Sequence, residues 1–133
     1  MNTHEQFIEL PTAKLAKQAG FYWECNERYN GKYATNDSEP LYVSSRDNWN
    51  QYAGLYSAPT QSVLQRWLRD VKNIQVWSEF HNQIAKIKSG WIVCFGFFSD
   101  NFVEVDYLSG YRTYEAALEA GLQKCLTLLI EKL

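Results

Sequence analysis

A short run of basic residues is the first place in this sequence where residue type and spacing could do chemistry. Arg66, Arg69 and Lys72 recur every three residues, which places them on one side of a predicted helix. Guanidinium and ammonium groups grouped in this way can hold a phosphate. The alternative is a solvated helix face on which Asp70 pairs with Arg66. The solvated face is favoured, and the phosphate site stays open as a hypothesis.

Aromatic residues surround this basic ridge in the sequence. The chain contains 5 Trp, 9 Tyr and 7 Phe, and this 16% is unusually high for an ordinary globular balance of apolar and charged residues. Aromatic rings beside arginines suit a stacked base or nucleotide, and they equally suit a protein interface. We therefore predict one surface that binds a ligand or a partner. Its residues are Arg46, Trp49, Tyr52, Tyr56, Arg66, Arg69, Lys72 and Trp77.

No group of residues predicts catalysis. Glu104 and Asp106 project from the same face of a predicted strand, where a carboxylate pair could do acid–base work or bind a cation. The favoured interpretation is the solvent face of an edge strand. The two histidines, His4 and His81, lie in no nucleophile or metal-binding motif. We therefore predict no catalytic residues, no metal and no cofactor, and we expect a non-enzymatic binding protein.

Charge, cysteine usage and hydropathy indicate the compartment and exclude some partners. The net charge of −2 argues against a dedicated nucleic-acid protein, because phosphate contacts dominate that kind of binding. Cys25, Cys94 and Cys125 form no CxxC pair, and their apolar surroundings predict buried free thiols, as in the cytoplasm. The first ten residues do not resemble a signal peptide, and the longest apolar run, 91–98, is too short to span a bilayer. We expect a soluble cytoplasmic protein, with neither a membrane nor a nucleic acid as its partner.

The second half of the chain predicts an α-β-β-β-α unit over residues 56–133. Its first helix, to about Lys72, has apolar residues spaced by three and four. Its last helix, from Tyr114 to about Lys132, is capped by Thr113 and has an apolar stripe that includes Gly121. Gly121 disfavours the helix, so its place on the apolar side predicts a close approach to the sheet. The three strands are predicted at residues 74–80, 91–98 and 102–107. The middle one is apolar on both faces, as in a central strand.

The first half predicts a helix, short strands and an aromatic-rich loop over residues 10–57. Thr12 is expected to cap the helix and Gly20 to end it. A strand at 21–27 should pair with a weaker strand at 32–35 through the tight turn Asn30-Gly31. Residues 41–43 could form another strand. The whole predicts a single α+β domain, residues 1–133, with helices packed on an antiparallel sheet of three to five strands.

Two resemblances add to these interpretations. The element order of residues 56–133 resembles the double-stranded-RNA-binding domain, which uses a basic cluster at the start of its last helix. Here the matching stretch, 110–115, is GYRTYE, with one arginine and one acid, so it lacks the charges that RNA binding would need. An RNA-binding-like role is therefore only an alternative.

The second resemblance covers most of the chain. The segments LP…GF at 10–21, YSAPT…WLR…NI at 56–74 and TYEAALEAGL at 113–122 are similar to a group of uncharacterised small proteins of phages and prophages of the Bacteroides type. That resemblance implies a mobile-element context and a place of action in the cytoplasm of a bacterial host cell. It leads to the hypothesis of a counter-defence protein that sequesters a nucleotide-like signal or blocks a host protein. The alternatives are a self-associating structural or regulatory module, such as a homodimer, and an enzyme that uses Glu104 and Asp106.

Overall fold

The computed structural model describes residues 5–81, 90–99 and 102–133, and the side chains of 98, 99 and 102–104 are not described. The chain has an α+β fold and divides into two compact units. One unit comprises the chain up to Val63 together with Leu126–Leu133, and the other comprises Leu64–Cys125. The sequence also predicts a hairpin connection over the polar tract 81–90 and a tight turn at 99–101, of which residues 82–89 and 100–101 lie outside the described residues. His4 and the side chain of Glu104 lie outside them as well.

The second unit contains the predicted three-stranded antiparallel sheet. Its strands are β4 (Ile74–His81), β5 (Gly90–Ser99) and β6 (Phe102–Tyr111), in the order β4-β5-β6. The prediction of a central strand is confirmed: β5 pairs with both neighbours, and residues 92–96 are buried on alternating sides. The helices are α2 (Gln61–Lys72), which belongs to this unit from Leu64 onward, and α3 (Tyr114–Glu131), which belongs to it as far as Cys125. The element order α2-β4-β5-β6-α3 therefore agrees with the sequence prediction.

Helix α3 packs closely against one face of this sheet. A Cβ atom at Gly121 would collide with the Val93 side chain and lie 3.0 Å from Cγ2 of Val76. The sequence prediction of close approach at Gly121 is thereby confirmed. At the start of the helix, Thr113 Oγ1 accepts a hydrogen bond from the amide of Ala116, as a capping residue should. Val76 and Val93 mark the sheet face that contacts α3.

Helix α2 contacts strand β4 through a polar side chain. Nε2 of Gln65 donates to the backbone carbonyl of Val76, so one acceptor of this outer strand is satisfied. The amphipathic pattern of the helix is confirmed, because Leu64, Trp67 and Leu68 are fully buried. The helix ends before Asn73, whose φ of 56° is left-handed and suits a helix terminus.

The first unit contains helix α1 and a second antiparallel sheet. Helix α1 spans Leu10–Gln18, and its N-cap is Glu9 rather than Thr12, which is buried inside the helix. The strands are β1 (Cys25–Asn30), β2 (Leu41–Asp47) and β3 (Leu55–Ser57), in the order β2-β1-β3. A short 3-10 helix, Trp49–Gln51, connects β2 to β3. Residues 34–57, which carried little pattern, thus supply two of the three strands.

The predicted hairpin at Asn30-Gly31 is wrong. Neither residue has the positive φ that a two-residue hairpin of this type requires. Instead, Gly31 approaches another segment closely: its amide donates to the Gly54 carbonyl, and a Cβ there would lie 2.7 Å from the Tyr56 ring. Strand β1 therefore begins later than predicted and pairs with β2 and β3, while residues 32–35 form no strand.

Candidate functional site

Trp49 is a core residue of the first unit. Its side chain is 6% exposed, and its indole Nε1 donates to the Cys25 carbonyl at 2.9 Å. The guanidinium of Arg28 lies 4.5 Å from the centre of its ring. A stacking platform needs an exposed ring face, whereas this ring is held within the unit. We therefore assign Trp49 a structural role.

Tyr52 and Tyr56 lie near Trp49 in the sequence and are fixed by charged neighbours. The Tyr52 hydroxyl donates to Asp47 at 2.7 Å, and this hydrogen bond raises the pKa of Tyr52. Lys17 donates to the carbonyls of Tyr52 and Leu55, at 2.8 and 2.9 Å, and its Nζ lies 5.0 Å from the centre of the Tyr56 ring. Lysine from α1 therefore orders the segment between the 3-10 helix and β3.

Arg46 lines a cleft of the first unit. It donates to the Glu24 carbonyl at 3.0 Å, and the cleft, with a volume of about 190 Å³, has Glu24 and Glu27 in its wall. Partial burial raises the pKa of Glu27. A cleft with this many carboxylates does not favour a phosphate, so Arg46 here balances acids rather than forming an anion site.

The basic ridge lies in the second unit on α2. Arg66 and Arg69 are exposed, and Lys72 lies 5.6 Å from the centre of the Trp67 ring. The predicted pair between Asp70 and Arg66 is replaced by one between Asp70 and its neighbour Arg69, at 3.1 Å with both side chains about half exposed. Such a pair contributes little to stability. The ridge is available to solvent, and it belongs to a different unit from Arg46, Trp49, Tyr52 and Tyr56.

Trp77 lies on the sheet face opposite to the α3 contact. Its direct cross-strand neighbour on β5 is Cys94, and the neighbour of Cys94 on β6 is Tyr107. Paired residues of antiparallel strands project to the same side, and the next residue along each strand projects to the other. Since Val76 and Val93 contact α3, Trp77, Cys94 and Tyr107 form a row on the other side.

Strand β6 leaves apolar side chains of this face in solvent. Tyr107 is 45% exposed and Val105, on the same face, is 51% exposed. The alternating sequence of β6 predicted that only the face with Asp106 is exposed to solvent. In the structure Asp106 on one face and Val105 and Tyr107 on the other are all exposed. Trp77 is half-buried on β4, at the other side of the buried Cys94. We call this surface the aromatic face, and its residues are Trp77, Glu79, His81, Cys94, Val105 and Tyr107.

A carboxylate is fixed within the aromatic face. Oε1 of Glu79 lies 3.3 Å from both Trp77 Nε1 and Cys94 Sγ, which donate to it, and Oε2 lies 3.4 Å from Nε2 of His81. The hydrogen bond from the Cys94 thiol is the main cause that lowers the pKa of Glu79, and Trp77 and His81 lower it further. Partial burial acts in the opposite direction but is outweighed. The carboxylate is therefore ionised at neutral pH, and the exposure of 44% of its side-chain surface to water favours the same state.

The thiol of Cys94 acts as a hydrogen-bond donor. Burial, and then the Glu79 carboxylate, raises its pKa to about 11. The thiolate is the nucleophilic form, so this cysteine is inert at neutral pH. Within the part of the chain that the structure describes, no three His, Cys, Asp or Glu side chains form a metal-binding group. No helix among the same residues is long and apolar enough to cross a membrane.

Sequence reasoning found Trp77 but missed Val105, Tyr107 and Glu79. These residues come together through the register of β4, β5 and β6, which joins positions up to 30 residues apart. The available signal was the length of the strands, since a regular antiparallel pairing would have aligned Trp77 with Cys94 and Tyr107. Comparison with known proteins yields no significant match to a family model, a curated protein or a solved structure.

Proposed function

We propose that this protein is a non-catalytic binding protein and that the aromatic face docks a partner protein. The observation that carries the proposal is the exposure of Tyr107 and Val105 beside Trp77 on one sheet face. Tyr and Trp are enriched at protein interfaces, because they bury a large area and keep a polar group for orientation. The partly exposed polar groups of Glu79 and His81 next to them match the polar rim of such interfaces.

The charge of the aromatic face favours a protein over a nucleotide-like ligand. Its ionised carboxylate, Glu79, would repel a phosphate. The arginines predicted to bind phosphate lie on α2, and Arg69 is already paired with Asp70. A nucleotide-like signal therefore becomes the lesser hypothesis, and calorimetry with cyclic nucleotides and short oligonucleotides is its direct check.

The resemblance to small phage and prophage proteins supplies a biological setting for this proposal. A phage protein that occupies the surface of a host defence factor needs no catalysis, only an interface that excludes water around a few aromatic anchors. We extend the proposal accordingly: the partner is a bacterial host protein, and docking blocks its action against the phage. Self-association through the same face is an outcome that the experiments below distinguish.

The decisive experiment compares two exposed valines of the second unit. Val105→Thr removes an apolar group from the aromatic face, and Val71→Thr makes the same change on α2, where Val71 is 39% exposed. The variants, with Tyr107→Ser, are expressed in a host whose defence restricts a test phage, and the efficiency of plating is measured. We expect the wild type and Val71→Thr to restore plating, and Val105→Thr and Tyr107→Ser to lose at least about fivefold of that effect, since interface anchors contribute about 1 kcal/mol or more.

Three results would contradict the proposal. Equal plating by the wild type, Val105→Thr and Tyr107→Ser would show that the aromatic face has no part in the function. A loss in Val71→Thr as large as that in Val105→Thr would show a general effect of replacing valine by threonine. A wild type that never restores plating would reject the counter-defence role. Thermal melting of each variant verifies folding. Light scattering at high concentration shows whether the face pairs two copies, an outcome that would replace the host partner with a second chain.

A further inference from the structure

The carboxylate of Glu79 determines what kind of residue a partner must present. The side chain accepts hydrogen bonds from Trp77 and Cys94 and faces His81, and turning it away from a partner would break these contacts. Covering it removes water from the exposed part of an ionised group. That desolvation is costly unless a cation replaces the water. A wholly apolar partner surface would therefore bind this face poorly.

Arginine fits the surroundings of Glu79 better than lysine. Oε2 faces His81 at 3.4 Å, and the Trp77 indole donates to Oε1 at 3.3 Å, so the carboxylate and the half-buried indole lie side by side. A planar guanidinium can pair with a carboxylate and stack on an aromatic face together, whereas an ammonium group acts as a point charge. Among the residues that define the aromatic face, His81 is the only one that can carry a positive charge.

We propose that the aromatic face recognises an arginine of its protein partner, which pairs with Glu79 and stacks on Trp77. This inference rests on the proposed function, since it names what the docked partner presents. Tyr107 and Val105 supply the apolar part of the interface, while Glu79 selects the partner by charge. A partner with an acidic or a purely apolar patch at this position would bind less tightly.

The first test uses a small probe and needs no knowledge of the partner. The indole ¹⁵N resonance of Trp77, assigned with Trp77→Phe, is followed by NMR during titration with N-acetyl-arginine amide. N-acetyl-citrulline amide, which has almost the same shape without the charge, is the matched probe. We expect a shift that is roughly threefold larger with the arginine probe, as for an exposed ion pair. The difference should vanish in Glu79→Gln and return in Glu79→Asp.

The second test separates this inference from the proposed function. In the plating assay, Tyr107→Ser reports on docking at the face, and Glu79→Gln reports on its charge selection. If Tyr107→Ser and Glu79→Gln both lose plating activity while Glu79→Asp retains it, the result supports recognition of an arginine by Glu79. Loss in Tyr107→Ser with full activity in Glu79→Gln would overturn it while leaving the docking face intact. Equal NMR shifts from both probes, or an unchanged arginine shift in Glu79→Gln, would overturn it as well.

Discussion

Replacing Gly121 by alanine tests whether α3 lies on the sheet as closely as the structure shows. At an exposed helix position this change would stabilise the protein by about 1 kcal/mol through helix propensity. Here the new methyl group would collide with Val93 and reach 3.0 Å from Val76 Cγ2. Overpacking of this kind costs about 1–3 kcal/mol. The propensity gain offsets part of this cost, so we expect a net loss of up to about 2 kcal/mol in the free energy of unfolding, measured from the midpoint of urea unfolding.

A second variant shows whether the collision is the cause. Val93→Ala alone should cost about 1.6 kcal/mol for two buried methyl groups, and somewhat more for the cavity that remains. In Gly121→Ala with Val93→Ala the added methyl group fills that cavity, so the double variant should be more stable than the sum of the single losses by at least about 1 kcal/mol. Strict additivity, or stabilisation by Gly121→Ala alone, would refute the packing of α3 on the face opposite to Trp77.

Other consequences of the structure can be measured directly. Because the pKa values of Cys94 and Cys125 are raised to about 11 and about 12, native protein at pH 8 should react with an aromatic disulfide reagent far more slowly than unfolded protein, and rapid labelling would contradict their burial. Lys17→Met removes two hydrogen bonds from a charged donor and should cost about 2 kcal/mol in urea unfolding, whereas Lys14→Met, 5.9 Å from the Tyr56 ring centre, should cost less than about 0.5 kcal/mol. The lowered pKa of Glu79 adds stability that is complete above its unfolded pKa, near 4.5, and is lost as pH falls through the folded value. The free energy of unfolding should therefore fall more in the wild type than in Glu79→Gln on acidification. Parallel dependence of that free energy on pH in the two proteins would exclude this coupling.

The sequence predicted the second unit well because its signals are local. The stripe of α2, the cap at Thr113 and the apolar run of β5 each lie within one element, and consecutive strands pair with their neighbours. Even the tight contact at Gly121 followed from a glycine on the apolar side of a helix. Periodicity and capping rules are sufficient for a unit with this order of elements.

The first unit was harder to predict because its pairing is not local. Strand β1 contacts β3 through Tyr29 and Tyr56, 27 positions apart, and the two residues of the supposed turn serve that contact instead. Trp49 shows the same limit: a polar stretch suggested an exposed ring, but Nε1 reaches Cys25, 24 residues away. Local polarity does not reveal such partners.

The apolar side chains of β6 need an explanation that folding does not supply. Val and Tyr favour strands by themselves, so strand propensity is the competing reason for Val105 and Tyr107. Threonine is also β-branched and would satisfy the same strand propensity at position 105. It is polar as well, which suits a side chain that is 51% exposed. Val105→Thr should therefore leave the strand intact while it removes apolar area. A loss of function without a loss of stability would separate the two reasons, and it would assign these side chains to the partner that covers them.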